Sequence, residues 1–308
     1  FWWVLAQPTN QRSEPIHVTV SPESLERHVR VLSEDFIPRN WKHLGNLHRT
    51  GNYLTAEFEK IGVGTVADQW FQTANGSRYR NVSLLIGDAT KPRIIVGAHY
   101  DAYSIYPGAD DNASGVAGLI ELARLVAASP IESPVEFVAY PLEEPPHFGT
   151  REMGSWQHAD ATKRAGVECK YMISLEMIGY FTDEKGSQDY PLPLLKAIYP
   201  STGDFIAVAG NFDHRDLIQE FKIGMRCCEN LPIVSISAPR QLPGIDFSDH
   251  RNYWMAGFPA IMITDTAFYR NKNYHTVEDT AEKLDFDKMA SVVAATFNAM
   301  QRLESLAP

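Results

Sequence analysis

The spacing of apolar residues divides the chain into two regimes. Behind Ser21-Pro22, the residues Leu25, Val29, Val31 and Leu32 fall at helical spacing, which predicts a capped amphipathic helix over 22–34. Tyr53, Leu54, Phe58 and Ile61 predict a second helix over 50–61. Strands are expected at 65–72 and 81–85, with the turn-rich Asn75-Gly76-Ser77 between them. From residue 93 the pattern changes. Ile94-Ile95-Val96-Gly97-Ala98 is a short apolar run without alternation, which suits a strand buried on both faces. Runs at 135–142, 171–175, 205–209 and 259–263 repeat it, and helical stretches are expected at 114–128, 151–165, 217–227 and 287–306. Strands alternating with helices predict an α/β fold with a mainly parallel central sheet and helices on both faces. No linker interrupts the chain. The expected organisation is one compact body, in which residues 1–62 form an arm and helices that pack on a domain of residues 63–308. Residues 181–204, rich in Gly, Pro and charge, read as an excursion over the surface.

Composition narrows the function. Against 38 Asp+Glu the chain carries 28 Lys+Arg, a formal charge of −10, so it lacks the basic excess that binding nucleic acid or an anionic membrane requires. Cys169, Cys227 and Cys228 cannot form a disulfide framework, although one bridge through Cys169 stays open. No segment is long and apolar enough to span a membrane. The apolar start Phe1-Trp2-Trp3-Val4-Leu5-Ala6 reads either as the tail of a removed signal or anchor, or as an arm packed on the body. The first reading leads to the expectation of a periplasmic, secreted or membrane-anchored protein. Asn75 and Asn81 each begin a glycosylation-acceptor triplet.

In open α/β sheets, sites form beyond the carboxyl ends of strands. His99 and Asp101 follow the first buried run, Glu143 and Glu144 the second, and Glu176 the third; His275 lies twelve residues past Ile263. Asp101, two residues after His99, is expected to take a hydrogen bond from the imidazole nitrogen that holds no metal. The loop Gly108-Ala109-Asp110-Asp111-Asn112-Ala113-Ser114-Gly115 precedes a helix, so its acids serve either as caps or as metal ligands. Glu143 and Glu144 either sit on a solvated loop tip or share a cation that offsets their repulsion. Glu176 is flanked by Leu175, Met177 and Ile178, which argues against full solvation. His275, in a polar loop, has weight only as one of this set.

Together these motifs, with Ser248-Asp249-His250 and Tyr274-His275-Thr276, resemble the co-catalytic zinc aminopeptidases of the bacterial leucyl aminopeptidase type, metallopeptidase clan MH. They occur in the family's order over residues 99–275. The resemblance implies a three-layer sandwich and two zinc ions per chain: one held by His99 and Glu176, the other by Glu144 and His275, with Asp111 bridging. Asp111 is preferred to Asp110 because 111 − 99 = 12 fits the family spacing. It also implies that a metal-activated water, with Glu143 as general base, hydrolyses the N-terminal bond of a peptide or small amide. Asp101 would be the partner of His99, Asp249 a polar site residue, and Asp110 a loop or cap residue. Where this chain has Glu176 the best-known members commonly have Asp, so the ligand's reach differs. Phe268, Tyr269 and Tyr274 are candidates for a pocket that takes an apolar substrate side chain, whereas Tyr253 and Trp254 read as core and His147 as surface. The other readings are a single-zinc acyl transferase of the glutaminyl-cyclase kind, a carboxypeptidase of the same clan and an inactive binding scaffold.

Overall fold

A computed structural model describes residues 2–14 and 17–306. A four-residue helix α1 (Trp2–Leu5) is followed by α2 (Pro22–Arg30) and α3 (Leu44–Ile61). The Ser21 hydroxyl accepts the Ser24 N–H at 3.1 Å, and Pro22 fits the first turn, where no N–H is needed. Helix α2 continues into a wider turn, Val31–Asp35. Helix α3 begins earlier than its apolar spacing suggests, because Leu47 also faces the core. Gly62, at φ 79°, ends it in the left-handed conformation that favours glycine.

The remaining elements are β1 (Thr65–Gln72), β2 (Arg78–Ile86), β3 (Arg93–His99), α4 (Gly115–Ala128), β4 (Val135–Tyr140), α5 (Gly154–Arg164), β5 (Cys169–Glu176), β6 (Ile206–Asn211), α6 (Arg215–Met225), β7 (Ile233–Ala238), α7 (His250–Ala256), β8 (Ala260–Thr264) and α8 (Phe286–Leu306). The eight strands form one sheet in the order β1-β2-β4-β3-β5-β8-β6-β7. Strands β4, β3, β5 and β8 are adjacent and mutually parallel, so their carboxyl ends open on one edge. Strand β2 joins β4 antiparallel, and β6 joins β8 antiparallel. Alternate side chains feed two cores. Ile94, Val96, Val135 and Phe137 pack with residues of α2, α3, α4, α6 and α8 on one face. Ile95, Val138 and Tyr140 pack with residues of α5 and α7 on the other. The fold is therefore the α/β architecture expected, with helices on both faces.

Strand β7 and helix α7, like the short α1, escaped the apolar pattern. Strand β7 reads Ile-Val-Ser-Ile-Ser-Ala; Ser235 and Ser237 interrupt the run, yet both are buried. Helix α7 has only seven residues. The 181–204 stretch is more than a surface excursion: it folds back and buries Gln188, Leu195 and Tyr199. The arm packs on the body through Leu5 and Ala6; Phe1 lies outside the described residues. The cysteines are free thiols, and Cys169 is buried. Asn81 is also buried, donating to Gln69 and Gly154, which removes it as a glycan acceptor. Among the described residues no helix is long and apolar enough to cross a membrane.

Candidate metal and active site

The four parallel strand ends deliver the polar residues to one place. His99 is the last residue of β3, and Glu176 the last of β5. Glu143 and Glu144 follow β4, and His275 lies in the loop after β8. The chain turns sharply there: Leu142, Met177 and His275 have φ of 66°, 49° and 57°, a region non-glycine residues rarely adopt. Such strain, of order 1 kcal/mol or more per residue, persists where surrounding contacts enforce it.

Two groups of potential ligands form, and they share one side chain. The first is His99, Asp111 and Glu176; the second is Asp111, Glu144 and His275; within each, the ligand atoms lie within 4.8 Å of one another. Asp111 turns one oxygen to each group. Its Oδ1 is 3.4 Å from His99 Nε2, which is 3.3 Å from Glu176 Oε2. Its Oδ2 is 3.0 Å from His275 Nε2, which is 3.1 Å from Glu144 Oε2. Yet His99 Nε2, His275 Nε2 and Asp111 Oδ2 are buried without a hydrogen bond. Buried polar atoms that converge unbonded are what an absent cation would leave, and imidazole with carboxylate suits zinc. Glu143 belongs to neither group; its Oε2 stands 3.9 Å from His99 Nε2.

The supporting contacts correct several expectations. His99 Nδ1 meets the main-chain carbonyl of Asp101 at 3.2 Å, closer than the carboxylate at 3.6 Å. Asp101 lies past the end of β3, and its carboxylate instead accepts the N–H groups of Glu143 and Glu144 at 3.1 and 3.2 Å. Asp110 is a loop residue, as one of the two expected readings had it, and its side chain caps no helix. It is fully buried, accepting from Gly179 N–H at 3.1 Å and from the Asn271 amide at 2.7 Å. Ser114 is the N-cap position of α4, but it is Asn112 whose Oδ1 accepts from the first helical N–H, that of Gly115, at 3.1 Å and from Met177 N–H at 3.0 Å. Gly115 is required there, since a Cβ would sit 2.3 Å from that oxygen. His147 is buried rather than on the surface; it pairs with Glu152 at 2.9 Å and joins neither ligand group. Asp249 is fully buried, and neither carboxylate oxygen is hydrogen-bonded.

Further residues support the ligands, and Asp279, Arg39 and Tyr103 among them were assigned no part in the site from the sequence. Asp279 accepts the N–H groups of Asp110 and Asp111 at 2.9 and 3.1 Å. Arg39, buried and remote in sequence, donates to the carbonyls of Leu32, Pro107 and Gly108 and so ties down the loop leading to Asp111. Ser248 donates to Glu176 Oε2 at 2.7 Å. The His275 ring lies between Tyr103, at 4.0 Å, and Tyr274, at 3.7 Å.

Protonation reflects this crowding. Burial, reinforced by the Asp111 charge, pushes Glu144 up to about 8, and burial pushes Asp249 up to about 7. Glu143 is held well above the ordinary carboxylate range by burial and by the charges of Glu176 and Glu144. Burial also raises Glu176. For His275 burial opposes the charge, but Asp111 and Glu144 outweigh it and raise the imidazole to about 10. Asp111 moves the other way, lowered by His275 and His99 despite its burial.

Beside this centre opens a cavity of roughly 850 Å³, counting its mouth. Glu176 and Tyr274 border the centre, while Ala207, Ala209, Val234, Ile236 and Met262 line it from the sheet. Phe268 and Tyr269 lie in the wall with Tyr274; Tyr253 and Trp254 are buried core. Polar wall groups are bonded within the protein: the Gln188 amide donates to Thr266 Oγ1, and the Tyr199 hydroxyl to Ser235 O. Among the described residues no Lys, Arg or His lines the cavity, although Asp189 in its wall pairs with Lys196 and Lys272 at 3.1 Å each.

Comparison with known proteins gives an independent measure. The sequence profile described as Peptidase family M28 matches residues 81–300. The uncharacterized protein YfbL of Escherichia coli (strain K12) is 46% identical over 299 residues, covering 94% of this chain and 89% of that protein. The probable leucine aminopeptidase of Trichophyton verrucosum (strain HKI 0517) is 26% identical over 300 residues, covering 92% of this chain and 73% of that one. The crystal structure of Fimbriiglobus ruber glutaminyl cyclase superposes with a TM-score of 0.68 at 21% identity, covering 96% of this chain and 99% of that chain, a likeness of fold.

Proposed function

The chain belongs to peptidase family M28, and from that premise we propose that it is a dizinc aminopeptidase that removes an apolar residue from the amino terminus of a peptide. The observation that carries this reading is the position of Asp111 between two ligand groups, one oxygen to each. His99 and Glu176 would hold one zinc and Glu144 and His275 the other, both shared with Asp111. When bound, the pair would supply Lewis acidity, lowering the pKa of a water and polarising the scissile carbonyl.

The protein's own groups do the rest. Glu143, outside both groups and beside His99, is the general base: its carboxylate takes a proton from the water and delivers it to the departing amine. The backbone clamp from Asp101 fixes Glu143 and Glu144 relative to each other. A substrate's free terminal amine would be anchored by a zinc and by the site carboxylates, and the adjoining apolar cavity would receive the first side chain.

The glutaminyl-cyclase fold keeps an acyl-transfer reading in view. The complete His99–Asp111–Glu176 group speaks against it, because a single-metal enzyme has no use for a second set of ligands. Metal analysis joined to a panel of aminoacyl chromogenic substrates tests the proposal. Chelator-sensitive release of apolar amino acids is the expected result. Cyclisation of N-terminal glutamine without such release would overturn it.

A further inference from the structure

The site described so far leaves the N-terminal arm without a role, yet the body is built to grip it. Lys222, on α6, is almost wholly buried, and its ammonium donates to the carbonyls of Ala6 at 2.9 Å and Gln7 at 3.2 Å. Both acceptors belong to the arm. The hydroxyl of Ser235, on the edge strand β7, lies 2.9 Å from Ala6 O and 2.8 Å from Gln7 Oε1. The Gln7 amide also reaches Arg215 O at 3.2 Å. A buried ammonium is costly to leave without acceptors, so the arm is a structural necessity for this edge of the sheet.

Ser235 is also where the arm meets the apolar cavity. Its main-chain carbonyl accepts the Tyr199 hydroxyl at 2.7 Å, and Tyr199 is a wall of the cavity. The residues on either side of Ser235, Val234 and Ile236, line the same cavity. Leu5 and Ala6 belong to the apolar cluster that contains Leu195 and Tyr199. Tyr199 in turn stacks on Tyr190, another wall residue, with ring centroids 5.7 Å apart. One continuous path thus runs from the arm through the edge strand to the far wall of the cavity. A central strand is held in register by neighbours on both sides, whereas β7 has a strand on one side only and depends on what covers its free edge.

We propose that residues Leu5–Gln7 act as a specificity-positioning element: tied to α6 through Lys222 and to β7 through Ser235, they hold the Tyr199 wall and so set which first side chain the cavity accepts. The proposal rests on the reading of that cavity as the site for the substrate's first side chain. It assigns the arm no part in metal binding or in the proton transfers.

The test compares leucyl, phenylalanyl and alanyl p-nitroanilides on the full-length, zinc-loaded protein and on Lys222→Met, Ser235→Ala and Ala209→Phe. Ala209→Phe fills the cavity directly and checks the underlying reading. It should lower kcat/KM for the leucyl and phenylalanyl substrates by about tenfold or more relative to alanyl. Lys222→Met and Ser235→Ala should raise KM for the two bulky substrates severalfold, leaving alanyl turnover and zinc content as in the parent. Ser235→Ala removes one hydroxyl and keeps the test valid should Lys222→Met fail to fold. If Ala209→Phe shifts selectivity and Ser235→Ala does not, the arm has no such role. If Ala209→Phe changes nothing, the cavity does not receive the side chain, and the proposal falls with that reading. A loss shared equally by all substrates, or accompanied by zinc loss, reduces the clamp to general stability and also overturns it.

Discussion

At the scale of single residues, the proposed function divides the groups that would hold metal from the one that would move protons. Glu143 and Glu144 are neighbours, yet only Glu144 joins a ligand group. Replacing Glu143 by Ala should lower kcat by roughly 10²–10⁴-fold, the usual range for a general base, with zinc content unchanged by metal analysis. Retained activity would contradict the assignment, as would lost zinc. His99, Glu144 and Glu176 were legible in the sequence because each stands at or just past a strand end, whereas Asp111 and His275 were singled out only by the family resemblance. What each carboxylate touches was not legible in the same way. Asp101 stands two residues from His99 in sequence, but its carboxylate is taken by two backbone N–H groups from the loop after β4. Arg39 and Asp279 bind main-chain atoms, and no spacing rule marks a residue whose partners are backbone groups brought near by folding.

At the scale of elements, the loop 102–114 is the part that must be held still, because it carries Asp111. Arg39 ties its carbonyls from one side, and Asp279 takes its N–H groups from the other. Gly108, at φ 59°, makes the bend between them; a Cβ there would lie 2.3 Å from Asp111 O. Replacing Arg39 by Met should strand the buried carbonyls and destabilise the protein by about 2–4 kcal/mol in urea unfolding. Arg39→Lys, keeping the charge but not the fork of donors, should recover part of that loss. Full stability in Arg39→Met would show that the loop does not need the tie. Elements with uninterrupted apolar runs were readable in the sequence, β3 and β5 above all. Strand β7 was not, since its buried serines serve the arm and the 237–211 contact rather than a hydrophobic core. Helix α7 is too short for its periodicity to show.

At the scale of the whole molecule, stability and metal binding are coupled through protons. Folding without metal buries carboxyls that prefer to stay protonated: Glu144 and Asp279 reach about 8, Asp249 about 7 and Asp265 about 6. Their ordinary values are 4.5 for Glu and 3.8 for Asp, so between these and the raised values the folded state binds more protons than the unfolded one. Stability therefore falls as pH rises through that window. His275, raised to about 10 from 6.5, acts in the same sense: its contribution is complete below 6.5 and lost as pH climbs towards 10. Asp111, lowered, acts oppositely but only in acid. The zinc-free protein should melt at progressively lower temperature from about pH 5 to 9, and added zinc should stabilise it most at the alkaline end, where fewer protons compete. A melting temperature that rises with pH without metal would contradict this. The most direct test of the central claim is the zinc-to-chain ratio measured on the same sample as leucyl-substrate hydrolysis during titration of the metal-free protein. Two zinc ions per chain at saturation, with hydrolysis appearing as they bind and both positions weakened together in Asp111→Asn, is the expected result. Saturation at one zinc, or an Asp111→Asn variant that keeps both, would contradict the shared two-metal centre.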